Sequence, residues 1–302
     1  MRPTILNAVA LMLLCTFLVS GTTLLAKVLG SGALGQSIHP LMISQARFLV
    51  GFATVAAFLS LRKASGRKPW APGTPPKLRL HMARTLLGWM AGALMFAAAA
   101  KMPLADASAL TFISPVATMF FAMPLLGERP GPVRWAAAGI ALFGAVVLLR
   151  PGAGVIQPAA LLALGSAAAM GLEAIAVKRL ATSEPPGRTM LINNGMGAVV
   201  SSVAAVPFFL WPETSAHWLA LAGMGVVMVS AQILLLRANQ IADVSFVVPF
   251  FYLTLVWAAL FDILVFDVWP DWVSILGAAI IVFGGLLLTW REMRARRPRP
   301  NV

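Results

Sequence analysis

Residues 101–152 read KMPLADASALTFISPVATMFFAMPLLGERPGPVRWAAAGIALFGAVVLLRPG. Two apolar runs, Leu104–Leu126 and Pro132–Leu149, flank a polar corner, Gly127-Glu128-Arg129-Pro130. Each run is roughly 18–23 residues long, and at ~1.5 Å rise per residue it crosses a ~30 Å hydrocarbon slab. The corner is too short for anything but a helical hairpin.

The pattern returns between Arg237 and Arg291. Ala105-Asp106 matches Ala242-Asp243 at an offset of 137, and Pro130 and Phe143-Gly144 match Pro270 and Phe283-Gly284 at 140. Ala26-Lys27 lines up with Val177-Lys178. The chain reads as one half written twice, residues 1–152 and 153–302.

Working outward, ten apolar runs span about 5–26, 40–61, 81–100, 104–126, 132–149, 159–177, 189–210, 217–236, 244–266 and 272–290. The fold class is an all-α integral membrane protein of ten transmembrane helices. Five helices per half is an odd number, so the halves insert as inverted repeats, a plan that puts a carrier's substrate site near the midplane between them. The first run is too long for a signal peptide and lacks a small-residue cleavage site.

Composition agrees. The 302 residues are 60% hydrophobic and 11% charged, where a soluble domain holds about 25% charged residues. The net charge of +13 sits in short loops and the C-terminal tail, which argues against a nucleic-acid partner. With the N-terminus in the cytoplasm, 19 of the 23 Lys and Arg fall on the cytoplasmic side, and only Lys101 and Arg150 fall in outer loops. That bias puts both termini in the cytoplasm and the chain in the inner membrane. The long loop RKASGRKPWAPGTPPKLR, residues 62–79, and the tail REMRARRPRPNV read as topology signals or as contacts with anionic lipid.

No catalytic signature appears. There is no Gly-Lys-Ser/Thr phosphate loop to use ATP, and Cys15 is the only cysteine. His39, His81 and His217 lie in different loops and do not suggest a metal site. No enzyme activity, cofactor or obligate protein partner is expected.

Intramembrane polar groups are costly, and each needs a reason. Glu173 is either a proton site, a partner for a substrate amine, or a structural tie to Arg47 or a backbone group. Arg47 lies about two turns into helix 2 and can snorkel. Asn193 and Asn194 read as interhelical hydrogen-bond groups or as ties to local backbone, and Gln232 as another such group or as pathway lining. Asp262 falls near a helix end, where it meets water. Thr16, Ser20, Thr23 and Lys27 share one face of helix 1, and Ser108, Thr111, Pro115 and Thr118 share one of helix 4. Pro115 lacks a backbone donor and can leave a carbonyl free for a ligand. Gly88 and Gly92 read as a packing pair. Tyr252, the only tyrosine, shares a face of helix 9 with Ser245, Pro249 and Val256. Lying mid-span, it either bonds to a neighbouring helix or walls a cavity, with Trp89 and Trp257 adding aromatic surface. The predicted substrate site is therefore Tyr252, Trp89, Ser108, Thr111, Pro115, Gln232, Glu173 and Trp257.

The paired hairpins ALTFISPVATMFFAMPLLGERP…WAAAGIALFGAVVLL and ADVSFVVPFFYLTLVWAALF…GAAIIVFGGLLL, with Gln45-Ala46-Arg47-Phe48 in helix 2, resemble the EamA-type ten-helix carriers of the drug/metabolite transporter superfamily. The second corner departs from the pattern, with Phe266-Asp267-Val268-Trp269 before Pro270. The resemblance implies secondary transport of small metabolites by alternating access. Its favoured cargo is amino acids, aromatic or neutral, moved outward, with a proton as the possible coupling ion. The alternative it implies is import of a vitamin or nucleotide-like compound.

Overall fold

Long apolar runs leave the backbone no water to bond in a bilayer, so each closes its hydrogen bonds internally as a helix. The computed structural model describes residues 5–64, 76–127, 130–149, 158–181, 184, 186–241 and 247–296, and the described residues contain helices and no strand. In order these are α1 (Ile5–Gly30), α2 (Pro40–Ala64), α3 (Leu78–Ala99), α4 (Leu104–Thr111), α5 (Ser114–Leu126), α6 (Pro132–Leu149), α7 (Pro158–Ala181), α8 (Pro186–Ala205), α9 (Ser215–Ile241), α10 (Leu253–Phe266) and α11 (Trp272–Arg296). Short 3₁₀ turns occupy Val206–Phe208 and Val248–Tyr252. Eight segments are long and apolar enough to cross a membrane, and Phe250–Phe266 and Trp272–Leu287 are shorter apolar helices. The 152/153 boundary, Glu128, Arg129, Asp243, Ser245 and the Pro249 side chain lie outside the described residues.

The Leu104–Leu126 span is not one helix. Pro115 has no N–H to give the Thr111 carbonyl, and the Thr111 hydroxyl donates to Ser108 O at 2.7 Å. The chain therefore tightens at Phe112 and Ile113, whose amides bond three residues back, and α5 restarts at Ser114. A 3₁₀ turn at Val248–Tyr252 leads directly into α10.

The divergent second corner keeps its geometry. Gly127 ends α5 at φ 67°, and Asp267, 140 residues later, ends α10 at φ 52°. Both are left-handed caps, and Asp is among the few non-glycine residues that accept that region.

α1 packs on α9, α3 on α7, α2 on α8, and α6 on α11. The α6–α11 seam is closest where glycines lie. A Cβ on Gly144 would come 2.7 Å from the Ile281 amide nitrogen and 2.9 Å from the Gly277 oxygen. A Cβ on Gly284 would come 2.7 Å from the Ala141 amide nitrogen and 2.9 Å from the Ala137 oxygen. These contacts are reciprocal: 144 meets 281 and 277, while 284 meets 141 and 137.

Two histidines near the starts of α3 and α9 are fully buried. His81 Nε2 donates to Glu184 Oε2 at 2.8 Å, and Glu184 Oε1 accepts the Lys77 amide at 2.8 Å, so α3 is tied to the α7–α8 connection. His217 Nε2 donates to the Gln36 carbonyl at 3.1 Å and Nδ1 accepts the Thr214 hydroxyl at 2.7 Å, so α9 is tied to the α1–α2 connection. Leu264, Val203 and Phe283 are exposed on the outside of the bundle, as a lipid-facing surface requires.

Candidate functional site

The break at 112–113 and the 3₁₀ turn at 248–252 open onto one cavity of about 450 Å³, bounded by α1 to α5 and α7 to α10. That volume lies in the ~300–1,000 Å³ range of pockets for drug-sized ligands. Ser108, Thr111, Pro115, Glu173, Gln232 and Tyr252 all line it. Ser20 and Thr23 of the α1 stripe line it too. Thr16 instead donates to Met12 O at 2.9 Å, and Lys27 turns away from the cavity.

The two tryptophans lie elsewhere. Trp257 Nε1 donates to Thr16 Oγ1 at 3.2 Å, and its ring stands edge-on to Phe17 at 5.4 Å. Trp89 lines a second pocket with Lys101, His39 and Phe208. The aromatic wall of the cavity is built instead from Phe112 and Tyr252, stacked at 4.7 Å and 28°, with Phe48, Phe96 and Phe251 around them.

Charge enters from α2, α3 and α7. Glu173 Oε1 lies 3.8 Å from Arg84 Nε, so Arg84, not Arg47, is its ion-pair partner. Arg84 also donates to Thr189 O at 3.3 Å. The charge bias counts Arg84 among the cytoplasmic-side cations, but the second turn of α3 carries it inward to line the cavity. Arg47 does not snorkel. Its guanidinium lines the cavity, 4.4 Å from the Phe48 ring centre and 5.8 Å from that of Phe96. Gly88 and Gly92 serve this charge cluster as well as packing. A Cβ at Gly88 would come 2.8 Å from Glu173 Oε1, and one at Gly92 would come 3.0 Å from Arg47 Nη1. Asn193 accepts from the Thr85 hydroxyl at 3.2 Å at the cavity edge, the interhelical role its sequence position suggests.

Gln232 Oε1, Ser20 Oγ and Arg84 Nε are buried without a hydrogen-bond partner among the described residues. The cavity thus offers acceptors from α1 and α9, donors from α2 and α3, and a flat aromatic wall. Such a set can hold a small polar molecule with a planar ring. No group of His, Cys, Asp and Glu among the described residues could hold a metal ion.

The model described as the EamA-like transporter family matches residues 6–150 and 157–290. The chain is 31% identical over 206 residues to a riboflavin transporter of Vibrio cholerae, covering 68% of this chain and 69% of that one. It is 25% identical over 287 residues to an S-adenosylmethionine uptake transporter of Rickettsia prowazekii, covering 93% and 94%. It is 27% identical over 244 residues to a pseudopaline exporter of Pseudomonas aeruginosa, covering 80% and 84%. A solved crystal structure has the same fold, with a TM-score of 0.59 at 21% identity over 98% of this chain and 100% of the other.

Proposed function

This chain belongs to the EamA-like transporter family, and on that premise we propose that it carries a flat, polar aromatic metabolite across the plasma membrane through the Phe112–Tyr252 cavity. It is a multi-pass membrane transporter of small molecules, not an enzyme. The observation that carries the cargo reading is the stacked Phe112–Tyr252 wall beside unpartnered polar atoms. A ring can slide against that wall while its polar edge meets Gln232, Ser108 and Thr111. Two relatives more than 30% identical are named as riboflavin transporters, which supports a cargo of this kind.

A second reading is export of aromatic or neutral amino acids. The presence of both charge signs in the cavity, Glu173 with Arg84 and Arg47, favours it, because a zwitterion needs a partner for each end.

The mechanism we infer is alternating access between two inverted five-helix halves, 1–152 and 153–302, with the termini in the cytoplasm. Four features support this. They are the reciprocal α6–α11 glycine contacts, the matched caps at Gly127 and Asp267, the 3₁₀-type tightening beside Pro115 and at 248–252, and the equivalent ties of His81 and His217. Discontinuous helices at a midplane site are a recurrent feature of inverted-repeat carriers. Moving Arg84 from loop to cavity leaves the positive-inside bias intact. Glu173 is the acid through which a proton would couple, and Glu173→Gln should then abolish the pH dependence of uphill flux while leaving exchange.

Purified protein in liposomes tests the cargo. Saturable, trans-stimulated uptake of labelled riboflavin but not of tyrosine supports the first reading, and the reverse supports the second. Flux of neither compound removes both.

A further inference from the structure

Resting on the reading that the Phe112–Tyr252 cavity is the transport site, the charges within it point to one residue. Glu173 already faces Arg84 at 3.8 Å. Arg47 makes no hydrogen bond and no ion pair within 4 Å among the described residues; its guanidinium faces the Phe48 and Phe96 rings and meets the Glu173 carboxylate only at longer range. The cluster of Arg47, Arg84 and Glu173 therefore leaves one unmatched cation on the cavity wall. A cation held in apolar surroundings without an acceptor is costly, and intramembrane charges are normally paired. The Arg47 guanidinium nonetheless has a fitted seat, since Gly92 leaves room 3.0 Å from Nη1 for it. A planar fork of five N–H donors matches two acceptors side by side.

The rest of the cavity is complementary to that end. Gln232 Oε1 and Ser20 Oγ, on α9 and α1, have no partner among the described residues and can accept hydrogen bonds. The Phe112–Tyr252 stack lines the same cavity. We infer that Arg47 receives the acceptor edge of the cargo, a carboxylate or a ring carbonyl beside a bare ring nitrogen, while Gln232 and Ser20 receive its donor end. Arg47 is thus the residue that sets orientation and selects against cargo lacking paired acceptors. A carboxylate comes from an amino acid and a carbonyl–nitrogen pair from a flavin-type ring, and the test separates these sources.

The experiment uses full-length protein in liposomes and measures the apparent KM for tyrosine against tyramine, which lacks the carboxylate. It also compares riboflavin with a ring analogue lacking the adjacent carbonyl–nitrogen acceptor pair. In the parent, the compound bearing the acceptor pair is expected to be preferred roughly ten- to hundredfold, the span of a charge-assisted hydrogen-bond set. Arg47→Gln should collapse that ratio towards one. Arg47→Lys should keep part of it, because a point charge replaces the fork. Gly92→Ala, which crowds the guanidinium without removing it, should lower the ratio by a smaller factor and serves as the second probe if Arg47→Gln is not recovered folded. A parent-like ratio in Arg47→Gln, or in both Arg47→Lys and Gly92→Ala, overturns the assignment while leaving the cargo reading in place. Absence of parent flux for both cargo pairs removes the cargo reading and this assignment with it.

Discussion

Lys27 Nζ lies 2.5 Å from Asp262 Oδ1, joining the end of α1 to α10 across 235 residues of sequence. Both side chains are buried, and Asp262 Oδ2 also accepts the Ala105 amide at 2.9 Å, at the start of α4. Asp262 does not meet water as its place near a helix end suggests. One carboxylate ties three helices. Removing a single partner from a buried pair leaves an uncompensated charge and costs ~3–5 kcal/mol, whereas replacing both with apolar residues is often near neutral. Lys27→Met and Asp262→Leu should each lower the thermal midpoint in detergent strongly, and the double variant should regain most of the loss. Additive losses would show that the two side chains act separately.

Glu184 gives the opposite end of the bundle a pH dependence. Burial pushes its carboxyl up, but the Lys77 amide, the His81 ring and the nearby Arg188 outweigh this and hold it below the ordinary 4.5. A carboxyl that is lower in the folded state adds stability above its unfolded value and loses it as pH falls through the folded one. Unfolding measured from pH 7 downwards should therefore show a loss that begins near 4.5 and deepens below it. Glu184→Gln should flatten that segment of the curve. His81→Leu, which removes one hydrogen bond to a charged group, should cost ~1.5–3 kcal/mol at neutral pH.

The helices were legible because a run of ~20 apolar residues has few other uses. The details of the site were less so, for reasons the residues show. Arg47 near a membrane face can snorkel or turn inward, and only the packing of α3 decides. The Gly88/Gly92 spacing was visible, but the same four-residue step serves ordinary helix packing. Trp89 is adjacent to Gly88, and Trp257 lies five residues after Tyr252. Helical geometry could have excluded them, since an adjacent residue points ~100° away and one five positions on points ~140° away. Glu184 and His81 are 103 residues apart, and Asp267 carries no glycine to signal its left-handed cap.

The α6–α11 seam makes a quantitative test of the two-half reading. Gly144 and Gly284 present equivalent close approaches to the facing backbone, which cannot move aside as a flexible side chain could. Overpacking of such a site costs typically ~1–3 kcal/mol. Gly144→Ala and Gly284→Ala should lower stability by similar amounts, read as the shift of the unfolding midpoint in one detergent. Gly139→Ala, on the same helix with nothing within 4 Å of its Cβ, should be close to silent. A large effect from one seam glycine and none from the other would break the equivalence.

Phe112 and Tyr252 stack where the break at 112–113 meets the 3₁₀ turn at 248–252, at 4.7 Å between ring centres. The pair closes one side of the cavity, and each ring contributes surface that a planar cargo can cover. Stacked aromatic pairs are worth ~0.5–1.5 kcal/mol beyond their area, so truncating either ring loosens both the wall and its partner. Tyr252→Ala and Phe112→Ala should each raise the apparent KM for aromatic cargo, and the double variant should do less than the two effects combined, because the rings touch. Tyr252→Phe separates ring from hydroxyl. If the hydroxyl bonds cargo, the apparent KM rises by a factor matching ~0.5–1.5 kcal/mol while the order of preference among ring systems stays the same. If the ring alone matters, Tyr252→Phe behaves as the parent and only Tyr252→Ala changes which rings are accepted. Flux kinetics in liposomes with a series of one-, two- and three-ring cargoes distinguishes these outcomes. Parent-like kinetics from Tyr252→Ala and Phe112→Ala alike would make the stack a packing contact and move the site to another wall of the cavity.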